Sequence, residues 1–184
     1  MDSSFEEIVR EHQAMVFRTL LRLTGSREHL DDLAQDVFLR LYRALPSFRG
    51  EALVTTYLYR IAVNVAQDEW KRRRRDAQSL VSISDETSGW EDRLQHPGRN
   101  ADELIEEREF QELVEGQLRR LSDVERSVLV LYHQEERTYE QIAYSLRLPI
   151  GTVRTHLHRA RKKLRDGIEA ARVERQPVRA RGAA

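Results

Sequence analysis

This sequence calls for an all-α chain, built as two small helical domains on a flexible linker. Charged residues make up 34% of the 184 positions while Gly (8) and Pro (4) are scarce, a balance that suits solvated helices better than sandwiches or barrels. Apolar residues return every three or four positions on either side of one polar stretch, and there the period is lost. The expected division is a domain over 1–75, an acidic linker over 76–104, a domain over 105–172 and a disordered tail over 173–184.

The first domain reads as three helices. Ser4 with Glu7 has the pattern of a capping box, and Ile8, Met15, Leu20 and Leu23 carry a helix to a stop at Gly25. A second helix runs from about Arg27 to Leu45. Its residues Leu30, Leu33, Ala34, Val37, Phe38 and Leu41 make one apolar stripe, and Pro46 ends it. After a loop from Pro46 to Thr55, a third helix from about Thr56 to Arg74 places Leu58, Ile61, Ala62 and Val65 on one face. Tyr57, Arg60, Asn64 and Lys71 lie on the other.

Ser, Asp, Gly, Pro and Asn dominate the linker, where only Trp90 and Leu94 offer local docking. A fourth helix is expected from about Glu103 to Leu121. Ser122 with Glu125 then opens a fifth through His133, and Thr138 with Gln141 opens a short sixth whose Tyr139, Ile142, Ala143 and Leu146 share a face. A turn from Arg147 to Gly151 leads into a long helix from Thr152, which completes a helix-turn-helix.

The formal net charge of zero divides unevenly, as +2, −5 and +3 over 1–75, 76–104 and 105–184. Positive charge gathers at Lys71 to Arg75 and at Arg154 to Arg165, a stretch with six basic residues and no acidic one. Two basic patches point to a polyanion. On the last helix Val153, Leu157, Ala160 and Leu164 form the buried stripe, leaving Arg154, Thr155, His156, His158, Arg159, Arg161, Lys162 and Arg165 on the opposite surface. Short polar and long basic side chains near a helix start suit base edges and phosphates in a major groove, and the amides of Gly151 and Thr152 suit a phosphate oxygen.

Other classes find little support. Without Cys there is no disulfide framework, and acidic Glu6 and Glu7 stand where a signal peptide would be basic, so a cytoplasmic protein is expected. Membrane insertion is not expected either, because no run of about eighteen apolar residues occurs. His156 and His158, two apart on a helix, diverge too far to share a metal ion, so base or phosphate contact is the better role for them. His12, His29, His96 and His133 read as surface or boundary residues. No phosphate loop or catalytic constellation suggests an enzyme, and no metal or cofactor is expected.

Three strings narrow the function. DDLAQDVFLRLY (31–42), FRGEALVTTYLYRIAVNVAQDEWKRRRR (48–75) and SDVERSVLVLYHQEERTYEQIAYSLRLPIGTVRTHLHRARKKL (122–164) closely resemble regions 2 and 4 of extracytoplasmic-function sigma factors, in that family's order. The resemblance implies a subunit that brings RNA polymerase core, through its β′ and β subunits, to promoter DNA and is restrained by an anti-sigma factor. It assigns Asp32, Gln35, Asp36, Phe38 and Leu39 to the β′ coiled coil. It assigns the loop from Phe48 to Thr56, with Tyr57, Arg60 and Asn64, to capture of a base extruded from the −10 element, and Lys71, Arg72 and Arg73 to upstream phosphates. Many members have Trp where this chain has Tyr57. Arg154, Thr155, His158 and Arg159 become candidates for −35 base edges; Thr152, Arg161 and Lys162 become candidates for phosphates. The competing reading is a free-standing helix-turn-helix regulator that binds an operator without polymerase.

Overall fold

A computed structural model of the chain describes residues 2–48, 53–79, 110 and 112–175. Among them every regular element is helical and no strand occurs. Helices α1 (Asp2–Thr24), α2 (Leu30–Ala44) and α3 (Val54–Ser79) form an N-terminal module, with one 3₁₀ turn, Leu45–Ser47, following α2. Helices α4 (112–119), α5 (Asp123–His133), α6 (Tyr139–Leu146) and α7 (Ile150–Arg175) form a C-terminal one. Most of the expected linker, with Trp90 and Leu94, lies outside the described residues, as do residues 103–109 of the expected fourth helix and the tail beyond Arg175.

Several helix ends differ from the sequence reading. Helix α1 begins at Asp2, so Ser4 sits inside the first turn rather than at its cap. At α2 the cap is His29, held in the left-handed region at φ 57°, and the helix starts at Leu30 instead of about Arg27. Helix α3 continues five residues past Arg74, because Asp76, Ala77 and Gln78 contain no breaker and Arg72 reaches Asp76 one turn on, at 3.7 Å. The expected turn over Arg147 to Gly151 is shorter than proposed. Arg147 takes the left-handed conformation that ends α6, and Pro149 carbonyl oxygen accepts from the amides of Thr152 (2.9 Å) and Val153 (3.1 Å), which starts α7 at Ile150. The two capping boxes at Ser122/Glu125 and Thr138/Gln141 form as read, each with both reciprocal bonds.

The first core takes the expected stripes of α2 and α3, but from α1 it takes Leu20 and the unexpected Val16, with Ile8 and Met15 packed at its edge and Leu23 turned elsewhere. Val16 and Leu20 of α1, Ala34, Val37 and Leu41 of α2, and Leu58, Ile61, Ala62 and Val65 of α3 are buried together. Each large aliphatic side chain so placed stabilises the fold by roughly 1.5–3 kcal/mol relative to exposure. In the C-terminal module Val128 and Leu131 of α5, Ile142 of α6, and Val153 and Leu157 of α7 close a second core.

That second core does not stop at the module's edge. Tyr59, Val63, Ala66 and Trp70 form a second apolar face of α3, at i, i+4, i+7 and i+11, and they join it together with Leu23 of α1. The two modules therefore pack directly on each other. Polar contacts frame the seam: Ser145 Oγ donates to Thr56 carbonyl oxygen at 3.4 Å, Arg74 forks onto Asp123 at 3.0 and 2.8 Å, and the Arg126 guanidinium lies 5.2 Å from the Trp70 ring centre. At its centre Glu135, from the α5–α6 connection, has a side chain with no solvent exposure. Its carboxylate accepts from Arg18 (3.2 Å), Arg22 (2.8 Å) and Tyr59 Oη (3.0 Å), all from the N-terminal module. Burial, together with the charge of Glu135, pushes the Tyr59 phenol up to about 12.

Replacing Tyr59 by Phe removes one donor from a buried carboxylate and adds nothing in its place. The variant is expected to lose roughly 1–3 kcal/mol in denaturant unfolding of the full chain. An unchanged midpoint and slope would show that the hydroxyl contributes nothing to the seam.

Candidate nucleic-acid interface

Helix α7 keeps its basic face in solvent. Val153, Leu157 and Ala160 are fully buried and Leu164 packs beside them, while Arg154, Thr155, His158, Arg159, Arg161 and Lys162 are exposed. Two sequence-assigned residues depart from this arrangement. His156 is half-buried with its Nδ1 atom enclosed and unpartnered among the described residues, so it lies at the margin of the free surface. The Thr152 amide is taken by Pro149 and is not open to a phosphate; its side chain is only partly exposed.

The exposed cations have supports that periodicity did not reveal. The Tyr132 and Tyr139 rings stack 5.2 Å apart at 21°, Arg154 lies 5.3 Å from the Tyr139 ring centre, and Arg161 lies 5.0 Å from that of Tyr132. Arg161 Nε also donates to His133 Nε2 at 2.9 Å, so His133, exposed as expected, is in addition a partner of the basic face. Burial and the Arg161 charge hold its imidazole below the usual range. Thr155 Oγ1 returns to Gly151 carbonyl oxygen at 3.0 Å, and Lys162 Nζ reaches Asp166 at 2.7 Å. Lys163, not among the assigned residues, holds the buried Glu125 at 2.8 Å and so ties α7 to the start of α5.

On the N-terminal module Phe48, Tyr57 and Arg60 come together at the start of α3. The Phe48 and Tyr57 rings lie 5.2 Å apart, and the Arg60 guanidinium sits 5.8 Å from Tyr57 and 5.4 Å from Tyr144 of α6. Asn64 is exposed, and residues 49–52 of the capture loop lie outside the described residues.

The run from Lys71 to Arg75 is less free than its charge suggests. Glu69, one turn back with a side chain 3% exposed, accepts from Arg72 at 2.8 and 2.9 Å and from Arg73 at 2.6 Å. Burial pushes the Glu69 carboxyl up, but the bonds and charges of the two arginines outweigh it and hold the group below the usual range. Lys71 stands 4.0 Å from Asp68.

The α2 residues fall on one surface. Asp32 and Gln35 are exposed, Leu39 is 46% exposed, and Phe38 leans on the first core. Asp36 has a structural tie that the sequence reading did not give it: Arg40 joins it at 2.8 Å and continues to Asp68 of α3 at 3.1 Å. Gln35, Phe38 and Leu39 also border an open apolar groove completed by Phe5, Val9 and Tyr42. Phe5 and Tyr42 meet edge to face at 5.0 Å, a pairing absent from the assigned set because it crosses from α1 to α2.

Comparison with known proteins bears on most of the chain. The family model described as Sigma-70 region 2 matches residues 8–76, and that described as Sigma-70, region 4 matches residues 111–164. The RNA polymerase sigma factor YlaC of Bacillus subtilis is 32% identical over 171 residues, covering 93% of this chain and 95% of that protein. The RNA polymerase sigma-H factor of Pseudomonas aeruginosa is 29% identical over 167 residues, with 90% and 86% covered. Among solved structures, the sigma factor RpoE bound to the anti-sigma factor NepR, from Bartonella quintana, superposes with a TM-score of 0.65 at 19% identity. It covers 90% of this chain and 97% of that one. CnrH in complex with the cytosolic domain of CnrY gives 0.64 at 22% identity, covering 92% and 90%. At these identities the structural likeness is one of fold.

Glu69 also sets an acid limit. Its folded pKa is depressed, so its stabilising contribution is complete above the unfolded value and is lost as pH falls through that value toward the folded one. Between about pH 5 and about pH 3 the melting temperature of Glu69→Gln should fall less steeply than that of the parent chain. Parallel curves would remove Glu69 from the acid response.

Proposed function

The chain belongs to the sigma-70 family, in its extracytoplasmic-function group, and from that premise we propose how its residues divide promoter recognition. As an RNA polymerase sigma factor it directs the core enzyme to promoters; it supplies contacts, and the polymerase supplies the chemistry. The observation that carries the assignment below is the exposed cationic face of α7, backed by a fully buried stripe.

The first turns of α7 enter the −35 major groove. Arg154, Thr155, His158 and Arg159 meet base edges there, while Arg161 and Lys162 meet phosphates. The stacked Tyr132 and Tyr139 give Arg161 and Arg154 a ring to rest against, which lowers the entropy lost when they bind. At the −10 element, Phe48 and Tyr57 offer rings and Arg60 and Asn64 offer hydrogen bonds to an unstacked base. Melting costs a few kcal/mol per step, and capture of the base offsets part of that. Of the three assigned cations, Lys71 reaches phosphates most freely; Arg72 and Arg73 must share themselves with Glu69.

Polymerase docks on α2. Leu39 and the apolar groove beside it, rimmed by Asp32 and Gln35, suit a helical surface of the β′ subunit, and the C-terminal module suits the β subunit. Domain limits of 1–79 and 105–175, which move the expected 75 and 172 to the ends of α3 and α7, a cytoplasmic location and restraint by an anti-sigma factor complete the proposal. The RpoE structure was solved in complex with the anti-sigma factor NepR, which supports the last point.

Three measurements check these assignments. Run-off transcription with core polymerase should yield promoter-specific transcripts only when this chain is added; equal transcripts without it would overturn the sigma assignment. Arg154→Ala should narrow the affinity gap between matched and mismatched −35 elements by roughly 1–3 kcal/mol, whereas Arg161→Ala should weaken every duplex alike. Leu39→Glu should reduce core association measured without DNA at an unchanged melting temperature, and undiminished association would take Leu39 out of the interface.

A further inference from the structure

Arg161 differs from its neighbours on α7 in the kind of partner that holds it. Lys162 reaches Asp166 at 2.7 Å, Arg165 stands 4.0 Å from the same residue, and Lys163 holds Glu125 at 2.8 Å, so each shares its charge with an acid. Among the described residues Arg161 pairs with no carboxylate. Its contacts are His133 Nε2 at 2.9 Å and the Tyr132 ring, 5.0 Å from the guanidinium.

The chemistry of that hydrogen bond is narrow. A guanidinium can only donate, so the imidazole must accept, and it accepts only while Nε2 keeps its lone pair. Nδ1 then carries the ring hydrogen, and His133 is neutral. A neutral acceptor at Arg161 Nε fixes the side chain without cancelling its charge, and the two terminal amino groups stay available to a phosphate. A proton on Nε2 removes the acceptor and sets two cations against each other.

The surroundings favour the accepting form. His133 is the last residue of α5, and its ring meets that of Tyr132 edge to face at 5.0 Å, while Tyr132 stacks on Tyr139 of α6. Across the groove that His133 borders, the charged groups are Arg161, Arg165, Glu169 and Arg172 of α7; from α4 the described lining is Val114 and Leu118. Three cations against one acid oppose a proton there. Desolvation and the Arg161 charge accordingly hold the imidazole below the usual range.

We infer that His133 is a positioning residue for DNA binding: as a neutral acceptor it sets the Arg161 guanidinium for a backbone phosphate, and as an imidazolium it lets that side chain go. The inference rests on the phosphate role proposed above for Arg161 and adds a residue that acts through it. It also reverses a familiar sign. A histidine that met a phosphate directly would strengthen the complex on gaining a proton, whereas His133 weakens it, because the proton and Arg161 compete for one lone pair.

The test uses holoenzyme assembled from core polymerase and the full chain, on a promoter fragment that the run-off assay finds active. At about pH 8, His133→Phe keeps a ring but loses the acceptor, and it should bind about fivefold more weakly than the parent, as one long side chain is left to be immobilised on binding. His133→Gln supplies an amide oxygen and should recover most of that loss. In an Arg161→Ala background the Phe substitution should change nothing further, because its effect passes through Arg161. Lowering the pH to about 5.5 should weaken the parent about twofold more than His133→Gln; His156 and His158 titrate in both proteins and drop out of the ratio.

His133 is exposed, so these variants should melt with the parent. If His133→Phe does not, the pH ratio of parent to His133→Gln carries the test. Equal losses with and without Arg161 overturn the role, and so does acid that favours the parent over His133→Gln. A parent holoenzyme that binds the fragment no better than core alone overturns the promoter reading itself, a failure distinct from these two.

Discussion

A helix with apolar side chains on two sides must be covered twice, and α3 imposes that condition on the rest of the molecule. Leu58, Ile61, Ala62 and Val65 are covered by α1 and α2, which fixes the three-helix N-terminal module. Tyr59, Val63, Ala66 and Trp70 are covered by the C-terminal module, which fixes how the two halves meet. Exposing the second face to water would lay bare a contiguous patch dominated by two large aromatic rings, and soluble proteins seldom leave such a patch uncovered. Glu135 then selects one docking arrangement, because its hydrogen bonds close only when Arg18, Arg22 and Tyr59 converge.

Features encoded within four residues were legible from the sequence, and features that depend on distant pairing were not. The capping boxes at Ser122 and Thr138 and the buried stripe of α7 are local, and the structure contains them as read. The second face of α3 was written in the same periodicity as the first, at Tyr59, Val63, Ala66 and Trp70, but spacing alone does not say what covers a face. Glu135 looked like one acid among many, since nothing near it in sequence marks it as buried. Arg72 and Arg73 were legible in principle. Glu69 stands three and four positions before them, the spacing at which helical side chains meet, although a run of positive charge equally suits DNA.

The basic face of α7 combines what a single helix provides with what its neighbours add. Periodicity put Arg154 and Arg161 in solvent, and tertiary packing laid each beside a ring of the Tyr132–Tyr139 stack. Those rings come from α5 and α6, so the side chains on the DNA-facing helix depend on the helices behind it. Asp36 shows the converse: a residue assigned to a partner surface is also tied through Arg40 to α3, and its replacement would disturb both.

The reciprocal caps at the starts of α5 and α6 bear on what happens when the halves part. Both caps close on residues of their own helix, and Glu125 takes its further partner, Lys163, from α7. None of these bonds crosses the seam. The C-terminal half thus carries its own caps as a pre-shaped piece, and the Arg74–Asp123 pair is what ties the start of α5 to the other half.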